Sequence, residues 1–259
     1  MSKVTTEKVG HVLKIGLNRP DKMNAADEEL LHGLALAYGE LEKDKELRVG
    51  LLFAHGDHFT AGLDLFDVGP KMQSGKLQLV PEGGIDPWGI QTKQVSKPVV
   101  MAIRGTCFTL GVELALASDI VIAASDSKFG QLEVARGILP FGGGTIRLPK
   151  VAGHAKAMQY LLTGETFSAQ DALQMGMIFK IYPTGLFEEE VMSLASTLAQ
   201  MPTKAIGLTK RLLNQSMTNN LEQQMALESD LQIEASSSND YKEGVTAFVE
   251  KRIPKFKGN

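Results

Sequence analysis

Apolar and polar positions alternate near the start of the chain. Val9, Leu13, Ile15 and Leu17 fall on odd positions of Val9 to Leu17, the period of a strand with one buried face. Asp27 then offers an N-cap, and Glu28 and Glu29 suit the positive end of a helix dipole. Leu30, Leu34, Tyr38 and Leu41 follow at helical spacing. Val49 to Ala54 is a continuous apolar run, as expected of a strand covered on both faces, and Val99 to Ile103 and Ile120 to Ala124 read alike. Strands alternating with helices predict an α/β layer fold with much parallel pairing.

From about Leu186 the strand signals stop. Val191, Leu194 and Leu198 share one helical stripe. Pro202 restarts a helix carrying Ala205, Leu208 and Leu212, and Leu221, Met225 and Leu231 mark another. A last helix is predicted over Asp240 to Arg252, capped by Ser238 or Asn239. The chain thus divides into an α/β core over 1–195 and a helical region over 196–259. Gly69 to Gly89 fits neither pattern, because its glycines and prolines break both long helices and strands. A loop of this length is a functional lid or a surface excursion, and Trp88, the only tryptophan, is a candidate anchor that packs it down.

Composition narrows the classes. With 259 residues, 43% of them hydrophobic, the chain can bury one large core. Basic and acidic residues number 27 and 30, a net charge of −3, and no basic stripe is present, which argues against a nucleic-acid partner. The single cysteine, Cys107, excludes an intramolecular disulfide and a cysteine-based metal site. Met1 to Thr6 lacks a signal-peptide pattern, no apolar run approaches the roughly 18 residues of a membrane span, and the last three residues are not a peroxisomal signal. A cytoplasmic protein is expected.

Several familiar motifs fail. The nucleophile elbow G-x-S-x-G is absent, as is G-x-G-x-x-G after a strand. Gly69 to Lys76 resembles a phosphate loop, but its glycine spacing is too long and Leu77 replaces the hydroxyl. His55 and His58 fall in a predicted turn without an evident third ligand, so a surface turn is expected there, and no metal.

Three segments carry chemistry. Gly111 to Ala117 is apolar all round except for Glu113. A carboxylate buried there is either satisfied by free N–H groups at a helix start or raised in pKa and ready for proton transfer. Glu133 lies among apolar residues on the next segment and either pairs with Arg136 or Arg147 or converges with Glu113 as an acid/base pair. Gly142, Gly143 and Gly144, just beyond, can approach an anion closely or make a tight turn. In Phe59 to Leu65, small Ala61 and Gly62 leave room for backbone N–H groups to face a ligand oxygen. With a second N–H before Glu113 they would form an oxyanion hole.

In order along the chain, Asn18-Arg19-Pro20 with Asn24-Ala25, Ala61 to Leu65, Lys97 to Ile103, Gly111 to Leu114, Ser118-Asp119-Ile120 and Phe129 to Glu133 resemble the crotonase (enoyl-CoA hydratase/isomerase) superfamily. Gly137 to Pro140, Arg147-Leu148-Pro149, Thr163-Gly164-Glu165 and Phe248 to Arg252 continue the series over nearly the whole chain. The resemblance implies the ClpP/crotonase-like α/β fold, a stacked β-β-α superhelix with a C-terminal helical trimerisation region, assembled as a homotrimer or dimer of trimers. It implies an acyl-CoA substrate whose thioester carbonyl meets the N–H groups of Leu63 and Leu110. Family members commonly carry glycine at the second position, so Leu110 is a departure: a positive φ there would be costly, and its bulk would reshape the pocket.

By the same resemblance Glu113 is the base on a water attacking C3 and Glu133 the acid at C2, hydrating a 2-enoyl-CoA. Ala25, Ala61, Leu63, Asp64 and Leu65 would line the pantetheine path, while Phe248 and Lys251 would reach the CoA nucleotide of a neighbouring subunit. No cofactor is implied beyond the coenzyme A of the substrate. Dienoyl-CoA isomerases resemble the Phe59 to Asp64 motif but place an aspartate where Phe141 stands, and simple isomerases commonly keep only the carboxylate at Glu133. The alternatives are isomerisation, other acyl-CoA chemistry on this fold, or a non-catalytic RNA-binding member, against which the charge balance and both glutamates speak.

Overall fold

The computed structural model describes residues 2–258. β1 (Val4–Val9) and β2 (Val12–Leu17) form an antiparallel hairpin. The predicted single strand over Val9 to Leu17 is therefore corrected: the chain reverses at Gly10, and Val9 ends β1 with 38% of its surface exposed. β1 carries mostly exposed residues at the sheet edge, which is why VTTEKV shows no apolar alternation.

α1 (Glu28–Lys43) starts where expected, with the Asp27 carboxylate accepting the Leu30 N–H at 3.0 Å. After it come β3 (Val49–Ala54), α2 (Leu65–Gln73), β4 (Val99–Ile103), β5 (Thr106–Phe108), α3 (Leu110–Ala117), β6 (Ile120–Ala124) and β7 (Lys128–Gly130). A 3-10 turn spans Glu133–Arg136. Then follow α4 (Gly144–Ala152), α5 (His154–Thr163), β8 (Thr166–Ser168), α6 (Ala169–Gln174) and β9 (Lys180–Tyr182). Four longer helices close the chain: α7 (Phe187–Ala199), α8 (Thr203–Ser216), α9 (Leu221–Ser236) and α10 (Asn239–Glu250).

The larger sheet has the order β1-β2-β3-β4-β6-β9, parallel from β2 onward. One face packs against α1 and α3 around Leu13, Ile15, Leu34 and Val112, and the other against α7 around Val12, Leu51, Val100 and Val191. Helices on both faces explain why β3, β4 and β6 read as unbroken apolar runs. α7 belongs to this packing, so the expected boundary between 195 and 196 falls inside an element that covers the sheet.

A smaller sheet, β5-β7-β8, stands beside the first, with β5 and β7 parallel. β4-β5-α3 and β6-β7 with its 3-10 turn therefore each run long strand, short strand, then a helix or turn. Helix α2 enters the Gly69–Gly89 segment as far as Gln73, and no further regular element occurs before Val99. Trp88 is 5% exposed and packs into the main core, as the anchor reading expects. Among the described residues, no helix is long and apolar enough to cross a membrane.

Candidate active site

Register in the smaller sheet brings the two glutamates together. β5 and β7 run parallel with Phe108 opposite Gly130, and the Thr109 N–H donates to the Gly130 carbonyl at 2.8 Å. The segments leaving these strands therefore start side by side, one carrying Glu113 and the other Glu133. Both are buried, at 2% and 4% exposure.

Glu113 sits in the first turn of α3, but its carboxylate is not held by its own helix. Its Oε1 accepts the N–H of Gly144, the first residue of α4, at 2.8 Å, and the Gly142 N–H also favours its charged form. A Cβ on Gly142 would lie 2.6 Å from Oε2, so this close approach requires glycine. The anion served by the glycine cluster is thus Glu113 itself. Burial raises the Glu113 pKa, and the two N–H groups with the nearby Arg147 charge oppose that rise.

Glu133 has weaker support. Its carboxylate faces its own N–H, and with the side-chain amide nitrogen turned inward Gln131 donates to it at 3.2 Å and to the Thr109 carbonyl at 3.0 Å. Neither Arg136 nor Arg147 pairs with it among the described ion pairs. Burial, with the like charge of Glu113, lifts its pKa to about 7. Burial thus favours the protonated form of Glu133, while the donors around Glu113 favour its charged form.

The expected oxyanion donors stand together through another parallel pairing. Thr60 bridges Cys107, with the Thr60 N–H donating to Thr106 and the Phe108 N–H to Thr60, both at 3.0 Å. Leu63 and Leu110 each lie three residues beyond that pair. Neither N–H finds a protein acceptor among the described residues, that of Leu110 because it opens α3.

The structure corrects one expectation about Leu110. Its side chain is 7% exposed and packs into the core, and the positive φ belongs to Thr109, at φ 51° and ψ −114°. A β-branched residue in this region is strained, at a cost on the order of 1–3 kcal/mol. Gly62, at φ 106°, faces it: a Cβ there would overlap the Thr109 Oγ1.

The remaining expected residues divide. Ala61 and Leu63 are half-buried beside these donors and Leu65 is exposed at the start of α2. Asp64 caps α2 through the Phe66 N–H and pairs with Arg19 at 2.8 Å, which holds its carboxyl below the usual range. The carbonyl of Ala25 accepts from Arg19 at 2.8 Å, so Arg19 joins both segments. Phe248 lies 85% exposed on α10 and Lys251 ends that helix in a left-handed conformation. α10 packs on α9, so within one chain these two are not brought to the glutamates. His55 bonds to Thr5 at 2.9 Å and His58 accepts the Thr106 N–H at 3.2 Å, both structural tasks. Sequence reasoning offered Arg147 as a partner of Glu133, whereas it bonds the Trp88 and Gly142 carbonyls, and missed Asp86, since a lone charge in a loop gives no signal.

A two-sheet superhelix with paired carboxylates beside two free N–H groups defines the crotonase fold class. The solved structure of a "probable enoyl-CoA hydratase/isomerase" from Mycobacterium abscessus superposes with a TM-score of 0.94 at 41% identity, covering 99% of both chains. Enoyl-CoA hydratase from Mycobacterium tuberculosis H37Rv gives 0.89 at 33%, covering 100% of each. The chain is 39% identical over 249 residues to 1,2-epoxyphenylacetyl-CoA isomerase of Escherichia coli strain K12, covering 95% of each. The family model for enoyl-CoA hydratase/isomerase matches residues 7–259, and the chain belongs to that family.

Proposed function

We propose that the chain hydrates a 2-enoyl-CoA to the 3-hydroxyacyl-CoA. The observation that carries this reading is the unequal support of the two buried carboxylates, with Glu113 held by backbone N–H groups and Glu133 at a pKa of about 7. Glu113 takes a proton from water as its oxygen bonds to C3. The double-bond electrons move to the thioester oxygen, between the Leu63 and Leu110 N–H groups. Glu133 then delivers its proton to C2, and the proton held by Glu113 passes back to Glu133 through the next water. Each proton transfer contributes roughly 10²–10⁴ in rate, and each oxyanion donor roughly 10²–10³. The step uses no group beyond the acyl-CoA. A relative of 32% identity, covering 100% of both chains, is named 2,3-dehydroadipyl-CoA hydratase, in keeping with this reading.

Isomerisation of an enoyl-CoA is the second reading, in keeping with the hydratase/isomerase family; the 39% identical relative is named for an epoxide substrate, 1,2-epoxyphenylacetyl-CoA. The same pair would move a proton between two carbons instead of adding water. α10 exposes Phe248 and Val249 at 85% and 73%, and the segment after it Ile253 at 85%, and we assign this apolar face to assembly of copies of the chain, as a trimer or dimer of trimers in the cytoplasm.

The test follows loss of conjugated enoyl-thioester absorbance over a panel of short to long 2-enoyl-CoAs, with Glu113→Gln and Glu133→Gln alongside. Loss of absorbance that both variants abolish supports hydration. Migration of the double bond without water uptake supports isomerisation. Binding without either reaction overturns both.

A further inference from the structure

The loop before β4 is organised by a buried acid. Asp86, 2% exposed, accepts the N–H groups of Trp88, Ile90 and Gln91 at 2.9, 2.7 and 2.8 Å. That turn presents Trp88 inward, where its indole N–H donates to the Leu110 carbonyl at 3.0 Å. Arg147, on α4, reaches across. One guanidinium nitrogen donates to the Trp88 carbonyl at 2.7 Å and the other to the Gly142 carbonyl at 3.2 Å. Gly142 opens the turn whose N–H groups hold Glu113. A Cβ on Gly143 would overlap the guanidinium, so the turn is shaped around this side chain.

We propose that Arg147 is a positioning residue that laces the Trp88 loop to the Gly142–Gly144 turn, holding the Leu110 donor, the Glu113 carboxylate and the pocket wall as one unit. Two donors fixed in one plane suit the task, because a rigid fork sets the spacing of two carbonyls on different segments, which an ammonium on a flexible stem does not fix. Arg147 also faces Glu113 as a cation. Charged groups around Glu113 are Arg147 from α4 and Glu133 from the 3-10 turn, with Asp86 of the loop facing Arg147. This inference rests on the proposed hydration for its kinetic consequence, and on geometry alone for the loop.

Trp88, the only tryptophan, makes the loop directly observable by fluorescence. The experiment compares Arg147→Met and Arg147→Lys with the native protein in Trp emission, acrylamide quenching, and the pH dependence of kcat and KM on a reactive 2-enoyl-CoA. In Arg147→Met the emission shifts red and quenching rises. kcat falls on the order of 10²-fold, as a misplacement near 1 Å does, with KM changing less. The acidic limb of the profile moves to higher pH, because Glu113 has lost its cation. Arg147→Lys returns the acidic limb towards the native position but leaves the emission shifted. A folded Arg147→Met with native emission and acidic limb overturns the proposal. If that variant does not fold, native emission in Arg147→Lys does so instead. If the native protein hydrates no enoyl-CoA, the hydration reading fails while emission and quenching still decide the loop.

Discussion

Glu113 takes its closest hydrogen bond from Gly144, 2.8 Å away and on a different helix, whereas Glu133 has no such donor from a neighbouring element in the same position. The pair is therefore asymmetric before any substrate arrives, and its asymmetry assigns the proton. The rate should fall on the alkaline side through a pH of about 7, as Glu133 is deprotonated. In Glu113→Gln the neighbouring negative charge is gone, so the Glu133 pKa should drop. Carbon-detected NMR titration of the side-chain carboxyl checks this, and an unchanged or higher pKa contradicts the assignment.

The same burial has a stability consequence. Glu133 binds its proton more tightly folded than unfolded, so its contribution is full below the ordinary glutamate range near 4.5 and lost as pH rises through about 7. Above that pH the native chain holds a poorly solvated charge. Glu133→Gln should gain stability on the order of 3 kcal/mol at pH 8 relative to pH 4 while losing its rate. Urea unfolding of both proteins at the two pH values measures it, and a gain of equal size at pH 4 would contradict the cause given.

Thr109 and Gly62 form a pair in which one residue's strain requires the other's lack of a side chain. Gly62→Ala should displace the Leu63 N–H and lower kcat by on the order of 10²-fold. Thr109→Gly should relieve the positive φ and the buried, unpartnered Oγ1, gaining about 1 kcal/mol with the two N–H donors left in place. Combining the two should recover part of the Gly62→Ala loss. Steady-state kinetics with thermal unfolding decide it, and strict additivity of the two changes would show that they do not touch.

The exposed face of α10 gives a prediction outside the site. Phe248→Glu places a charge where the proposed assembly would bury an aromatic side chain, and should lower the mass of the particle in solution. Light scattering coupled to size exclusion measures this. Native mass in the variant would remove Phe248 from the assembly surface.

What could be read from sequence follows from what leaves a periodic trace. β3, β4 and β6 were legible because helices on both faces make them continuously apolar, and α1 because Asp27 and its stripe mark its start. β1 was not, since an exposed edge strand needs no apolar face, and the three-residue strands of the smaller sheet are too short for any period. The Gly69–Gly89 segment hid the end of α2, whose helix continues through Pro70. Glu113 and Glu133 stood out because a carboxyl among apolar residues is costly, and Trp88 because large aromatics seek burial. A positive φ, costly had it fallen on Leu110, falls instead on Thr109, and no rule of composition places strain on a β-branched residue. The sequence singles out Arg147 as a partner for Glu133, but Arg147 and Asp86 act through backbone carbonyls and N–H groups, which any sequence supplies, so their true partners leave no mark.

The two free N–H groups belong to the main chain, and the Thr60–Cys107 bridge fixes their spacing. Point mutation at Leu63 or Leu110 alters packing without deleting a donor, whereas inserting one residue between Cys107 and Leu110 shifts the N–H off its mark. Substitutions in this chain can therefore exchange acids, bases and pocket walls with both donors left in place, while insertions and deletions beside the bridge displace a donor.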